Sequence, residues 1–177
     1  DRHRKQPGGP APDDARRLRI RGKFPVANDL CDVARPRSAA PTFMNAPYAL
    51  VLASLLVQIG SKGPVAAAQK ATSGTYDNNN PREQQARLDG AGKRALAAHA
   101  NGYEAIPPFA AGVVAAMQAN VPVGWVTALA AAFVVARIIY IPLYIKDIAT
   151  PRSLVWAVGF LSTLGLWALA AIGCKCM

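Results

Sequence analysis

Three long apolar runs in the second half of the chain constrain its fold more than any other feature. They cover residues 95–117, 121–145 and 154–172. A helix needs about 20 mostly apolar residues to cross a bilayer, and it satisfies its own backbone hydrogen bonds while doing so. The chain is therefore predicted to be an all-α integral membrane protein.

A fourth apolar run, residues 46–60, precedes these three and is short for a membrane span. The apolar residues 65–68 can lengthen it across a short polar interruption. We interpret it as the first of four transmembrane helices. The polar segment 72–93 then connects the first two spans, and Pro81 suits the first position of a short helix within it.

The N-terminal part of the chain has a different composition. It is rich in Arg, Pro and Gly and has no sustained hydrophobic period, so it cannot bury a core of its own. We expect residues 1–43 to form a basic extension over a partner surface, and residues 44–177 to form the transmembrane domain. An Arg-rich, Glu-poor composition is typical of organellar presequences, which favours a mitochondrial inner or thylakoid membrane over an endomembrane.

The net charge of +10 would suggest a nucleic-acid partner in a soluble protein. Here the basic residues flank apolar spans, and no basic recognition helix or aromatic-interleaved strand is present. We therefore expect no nucleic acid among the partners. The charge is assigned to anionic lipid and to membrane topology.

Metal binding is not predicted from the cysteines. The chain has three, Cys31, Cys174 and Cys176, without the Cys-x-x-Cys spacing of a zinc site. His99, on the second span, leaves two alternatives open. It can ligate the metal of a haem or chlorophyll, or it can be a hydrogen-bonded residue of a helix interface.

Polar residues recur at helical intervals on the second and third spans, so each set lies on one helix face. The first stripe comprises Arg94, Asn101, Glu104 and Pro108, and the second comprises Arg137, Tyr140, Tyr144 and Asp147. We expect the stripes to face each other, as packing glue or as a ligand site. Because an unpaired charge in hydrocarbon is costly, Glu104 is expected to be buried and paired with Arg137 or Arg94.

These motifs resemble the MAPEG family (membrane-associated proteins in eicosanoid and glutathione metabolism), in particular its bacterial-type branch. The resemblance spans residues 45–170 and rests on the Tyr-Asp-Asn-Asn-Asn-Pro-Arg loop at 76–82, the Asn-x-x-Glu-x-x-Pro-x-Phe pattern at 101–109, and Arg137 with its tyrosines. It implies a bundle of four transmembrane helices that assembles as a homotrimer.

In catalytic members of this family, glutathione lies in a cleft between neighbouring subunits. The resemblance implies a set of glutathione-binding positions: Arg94, Asn101, Glu104, Arg137, Tyr140 and Tyr144. It also implies that Arg152, one residue further from Tyr144 than in the leukotriene-forming synthase, stabilises the thiolate beside that tyrosine. The chain departs from the family at Ala97, where glutathione-binding members carry an arginine that clamps a carboxylate. We expect this loss to weaken glutathione binding, unless Arg94 replaces the clamp.

Two functions follow from these observations. We favour a non-catalytic accessory or structural subunit of a larger respiratory or photosynthetic membrane complex, with other subunits and lipids as partners and no cofactor assigned. Ala97 and the basic extension support this interpretation. The alternative is a homotrimeric membrane-bound glutathione transferase or peroxidase that acts on apolar electrophiles or lipid hydroperoxides. In that case Arg137 or Arg152 would lower the pKa of the glutathione thiol and so generate the nucleophilic thiolate.

Overall fold

The computed structural model describes residues 45–172. In this part of the chain there are six helices and no strand: α1 Ala46–Gly60, α2 Lys62–Ser73, α3 Pro81–Ala86, α4 Gly90–Gln118, α5 Val123–Ile145 and α6 Ala149–Ile172. The predicted short helix at Pro81 is α3. The predicted extension 1–43, its course over a partner, and all three cysteines lie outside the described residues.

The long helices form a bundle of four rods. Helices α1 and α2 make one of them, because only Ser61 separates the two and its backbone is itself helical. By length and composition, Ala46–Ser73, α5 and α6 are apolar enough to cross a membrane. Helix α4 is more polar, yet its 29 residues extend for about 43 Å and it packs against α1, α5 and α6. The predicted four-helix, multi-pass membrane protein is confirmed.

Two apolar clusters stabilise the bundle at different levels. The larger cluster joins the second half of α4 to α5 and α6, where the rings of Phe109 and Phe133 stack with centroids 3.8 Å apart. The smaller cluster joins Val65, Leu88 and Ala95 near the α2–α4 connection. Between these two levels, α4 carries the polar residues from His99 onward, so the fold places them at a gap in the apolar core.

Hydrogen bonds between polar side chains and His99 join the α1–α2 rod to α4. The Gln58 side chain donates a hydrogen bond to the His99 carbonyl oxygen over 2.8 Å, and Ser61 Oγ lies 2.7 Å from His99 Nδ1. His99 is thus a hydrogen-bonded interface residue, the second of the two alternatives. Within residues 45–172 no three potential metal ligands cluster together.

Gly102 gives the Gln58 side chain the space to lie against α4. A Cβ atom at residue 102 would lie 1.8 Å from Gln58 Oε1, and Gln58 is only 5% exposed. We expect Gly102→Ala to lower the free energy of unfolding by about 1–3 kcal/mol, because it displaces a buried, hydrogen-bonded amide.

Thermal unfolding of the detergent-purified protein checks this prediction. Gly60→Ala is the matched control, since an added Cβ there meets nothing within 4 Å, and we expect it to be neutral or stabilising. If the two variants melted at the same temperature, the assigned role of Gly102 would be wrong.

Candidate functional site

A cleft of ≈390 Å³ lies between α4, α5 and α6, a volume typical of small-molecule sites. Its polar part consists of Asn101, Glu104 and Arg137. The rest of the lining is mostly apolar and comes from all three helices: Ala105, Pro108, Phe133, Trp156, Phe160, Thr163, Leu164 and Trp167. The cleft can therefore accept a molecule with one polar and one apolar part, or two such molecules side by side.

Arg137 is the buried cation of the cleft, at 6% exposure. Its Nη2 donates a hydrogen bond to Asn101 Oδ1 over 2.7 Å. The guanidinium carbon lies 4.6 Å from the centre of the Tyr140 ring and 6.0 Å from that of Phe133, so aromatic faces stabilise the charge. A guanidinium has five N–H donors, and it can use the remaining ones to bind an anion in the cleft.

Glu104 does not form the predicted ion pair. Its carboxylate accepts a long hydrogen bond from Asn101 Nδ2, 3.4 Å, and the residue is exposed in the single chain. The salt bridges among residues 45–172 do not include it. The prediction that Glu104 is buried and paired with Arg137 or Arg94 is therefore wrong for the described chain. Asn101 occupies the position between the two charges.

Arg94 lies outside the cleft, at the end of α5. Its Nε donates a hydrogen bond to the Ile145 carbonyl oxygen over 2.9 Å, and its Nη1 lies 3.7 Å from the Asp147 carboxylate. A helix C-terminus attracts cations through its free carbonyls and its dipole, which explains this position. The two polar stripes do face each other, as predicted, but Arg94 is not among the residues that line the cleft.

A smaller pocket of ≈260 Å³ adjoins the cleft at Trp156, which lines both. The other lining residues are Tyr140, Tyr144, Arg152 and Ser153. The Arg152 guanidinium carbon lies 4.5 Å from the centre of the Tyr144 ring. Arg152 is in the first turn of α6, and from there its guanidinium reaches the Tyr144 ring. The pocket thus combines a cation with two phenol side chains.

Helix α6 contributes an aromatic wall that was not predicted from the sequence. Trp156 and Phe160 stack with ring centroids 5.2 Å apart, and Trp167 Nε1 donates a hydrogen bond to the Pro108 carbonyl oxygen over 3.0 Å. The close approach of Trp167 depends on Gly112, where a Cβ would lie 3.1 Å from the indole nitrogen. The aromatic residues recur at intervals of four and seven, a signal of one helix face that could have identified this wall.

The model of the MAPEG family matches residues 46–172, which include all six helices and every residue that lines the cleft and the adjoining pocket. Neither the curated proteins nor the solved structures contain a match.

Proposed function

This chain belongs to the MAPEG family, and on that premise we propose that it is a membrane-bound glutathione-dependent transferase or peroxidase. The proposal rests on one observation: two pockets of different character adjoin each other at Trp156, which lines both. Basic and phenolic groups suited to a polar thiol lie on one side, and an apolar cleft suited to a lipid-soluble substrate lies on the other.

In the proposed reaction, Arg137 and Asn101 hold a carboxylate of glutathione, while Arg152 and Tyr144 stabilise the thiolate. A neighbouring cation favours the thiolate form of a thiol. The sulfur then attacks an electrophilic carbon, and the leaving group departs with the bonding electron pair. In the peroxidase version, two glutathione molecules become one disulfide for each hydroperoxide reduced to an alcohol and water.

The affinity for glutathione should be low. Ala97 supplies no cation and Arg94 is engaged at the end of α5, which leaves Arg137 as the cation within the cleft. A bidentate arginine is the strongest side-chain partner of a carboxylate, so losing one weakens binding. We further propose a homotrimer in which a neighbouring chain covers the exposed Glu104.

Turnover assays on the detergent-purified full chain test this function. The substrates are glutathione with a series of alkyl electrophiles of increasing chain length, and a fatty-acid hydroperoxide. We expect kcat/KM to rise by up to about fourfold for each added methylene that enters the cleft. A rate equal to the uncatalysed one for every substrate would contradict the proposal.

The second candidate is the non-catalytic accessory subunit. It is favoured by Ala97 together with the engagement of Arg94 elsewhere, since both reduce the means of holding glutathione. Native electrophoresis of gently solubilised source membranes separates the two functions. Migration of the chain with unlike subunits supports the accessory function, and migration as a trimer of this chain supports the enzyme.

A further inference from the structure

Arg94 is a charged side chain to which the proposed reaction gives no role. It comes from α4, is partly buried, and donates a hydrogen bond from its Nε to the Ile145 carbonyl oxygen over 2.9 Å. Ile145 is the last residue of α5, and the carbonyls at a helix C-terminus have no partner within their own helix. Arg94 therefore holds the end of α5 from a neighbouring helix.

The same arginine contacts the connection between α5 and α6. This connection consists of residues 146–148, all exposed, and its backbone N–H groups donate only to carbonyls of α5. Asp147 has a φ of 63°, a left-handed conformation that is uncommon for a residue other than glycine, and its carboxylate lies 3.7 Å from Arg94 Nη1. Within residues 45–172, the side-chain hydrogen bond and the salt bridge that join this region to another helix both come from Arg94.

The connection determines how Tyr144 and Arg152 meet. Tyr144 directly precedes Ile145, and the Arg152 backbone N–H donates to the Ile148 carbonyl oxygen over 3.2 Å, so both residues adjoin the segment that Arg94 holds. The Arg152 guanidinium carbon lies 4.5 Å from the centre of the Tyr144 ring. A displacement of about 1 Å in a group that acts on the reacting atoms can cost about 100-fold in rate, so a small shift of the connection is enough to affect the reaction.

We propose that Arg94 is a positioning residue that acts through Arg152. By holding the last carbonyl of α5, it keeps the start of α6 in the place from which Arg152 covers the Tyr144 ring. The hydrogen bond to Ile145 supplies most of this effect, because an exposed ion pair such as that with Asp147 contributes little by itself. The inference rests on the proposed function, in which Arg152 stabilises the thiolate, and gives Arg94 no contact with glutathione.

Steady-state kinetics of Arg94→Met in the detergent-purified full chain test this role. We expect kcat to fall about 10-fold, less than for loss of Arg152 itself, while KM for glutathione changes less than about twofold. The remaining activity should recover at raised pH, as expected for Arg152→Leu. Arg94→Lys keeps one cationic donor for the Ile145 carbonyl and should retain more activity than Arg94→Met.

A double variant separates positioning from general damage. Because Arg94 acts through Arg152, Arg94→Met/Arg152→Leu should be no slower than Arg152→Leu alone. The matched control is Lys93→Met, which removes the same charge from the adjacent, exposed position of α4 and should leave the rate unchanged. Thermal unfolding verifies that each variant is folded, and Arg94→Lys serves as the test if Arg94→Met is not.

Hydrogen exchange provides a measurement that needs no turnover. Amides of residues 146–152 should exchange about tenfold faster in Arg94→Met than in the unaltered protein, as expected when one hydrogen bond that holds the segment is lost, and Lys93→Met should not change them. A protein without glutathione turnover would contradict the proposed function, whereas this exchange difference would still show that Arg94 holds the connection.

Three results would overturn the inference. Unchanged exchange in Arg94→Met would show that Arg94 does not hold the connection. Losses of rate that multiply in the double variant would show that Arg94 does not act through Arg152. A raised KM for glutathione with an unchanged kcat would assign Arg94 to binding of glutathione instead.

Discussion

Arg152→Leu is expected to lower glutathione-dependent turnover by about 100-fold or more, the usual effect of removing one charge-stabilising group from an active site. The guanidinium lies over the Tyr144 ring where the pocket meets the apolar cleft, and in the proposed reaction it is the cation that stabilises the thiolate. Because the proposed reaction assigns the carboxylate to Arg137 and Asn101, KM for glutathione should change little.

The pH dependence of the activity provides a second test of this role of Arg152. Without Arg152, the pKa of the bound thiol should rise towards its ordinary value, about 8.5 for a cysteine thiol. The activity of Arg152→Leu should therefore recover as the pH is raised, while that of the unaltered protein should change less. Steady-state rates measured across this range check both points.

Arg87→Leu is the matched control, since Arg87 is exposed at the C-terminal end of α3 and pairs with Glu83 of that helix. It should keep full activity. If Arg152→Leu and Arg87→Leu had the same rate, Arg152 would have no part in the reaction.

Asn101→Leu is expected to lower the free energy of unfolding by about 2–3 kcal/mol. The substitution removes the hydrogen bond from Asn101 to the buried Arg137 guanidinium, and a lost bond to a charged group costs about this much. Chemical unfolding in mixed micelles measures it, with Asn78→Leu in an exposed connection as the control.

The double variant Asn101→Leu/Arg137→Met distinguishes this contact from a general packing effect. Removing both partners leaves no unpaired charge, so the double variant should be destabilised by less than the sum of the two single substitutions. Simple additivity of the three values would show that Asn101 and Arg137 do not depend on each other.

Much of the fold can be predicted from hydropathy, but the helix ends cannot. The predicted run 154–172 begins five residues after α6 does, and the run 95–117 begins five residues after α4. In both cases a basic residue near the start of the helix, Lys93 or Arg152, interrupts the apolar pattern without interrupting the helix. The continuation of α1 into α2 is equally hard to predict from hydropathy, because Lys62-Gly63-Pro64 interrupts the apolar run without ending the rod of the two helices.

The candidate site could be predicted only in part, because spacing shows which residues share a helix face and not which atoms meet. The two polar stripes correctly predict that Arg137 on α5 faces Asn101 on α4. The partner of Arg137 was nevertheless mispredicted, since the argument from charge favoured Glu104 over a neutral amide. The spacing of the α6 aromatic residues indicates one helix face, but which neighbouring helices that face covers could be learned only from the three-dimensional arrangement.

Activation of glutathione by this protein is tested most directly by the ultraviolet absorbance of the thiolate when the protein is titrated with glutathione at a pH below the pKa of the free thiol. S-methyl glutathione, which has no thiol, is the blank. We expect a saturable thiolate band with the unaltered protein and no such band with Arg152→Leu. No thiolate band at any glutathione concentration would contradict it, and would leave this chain as a member of the family that does not activate glutathione.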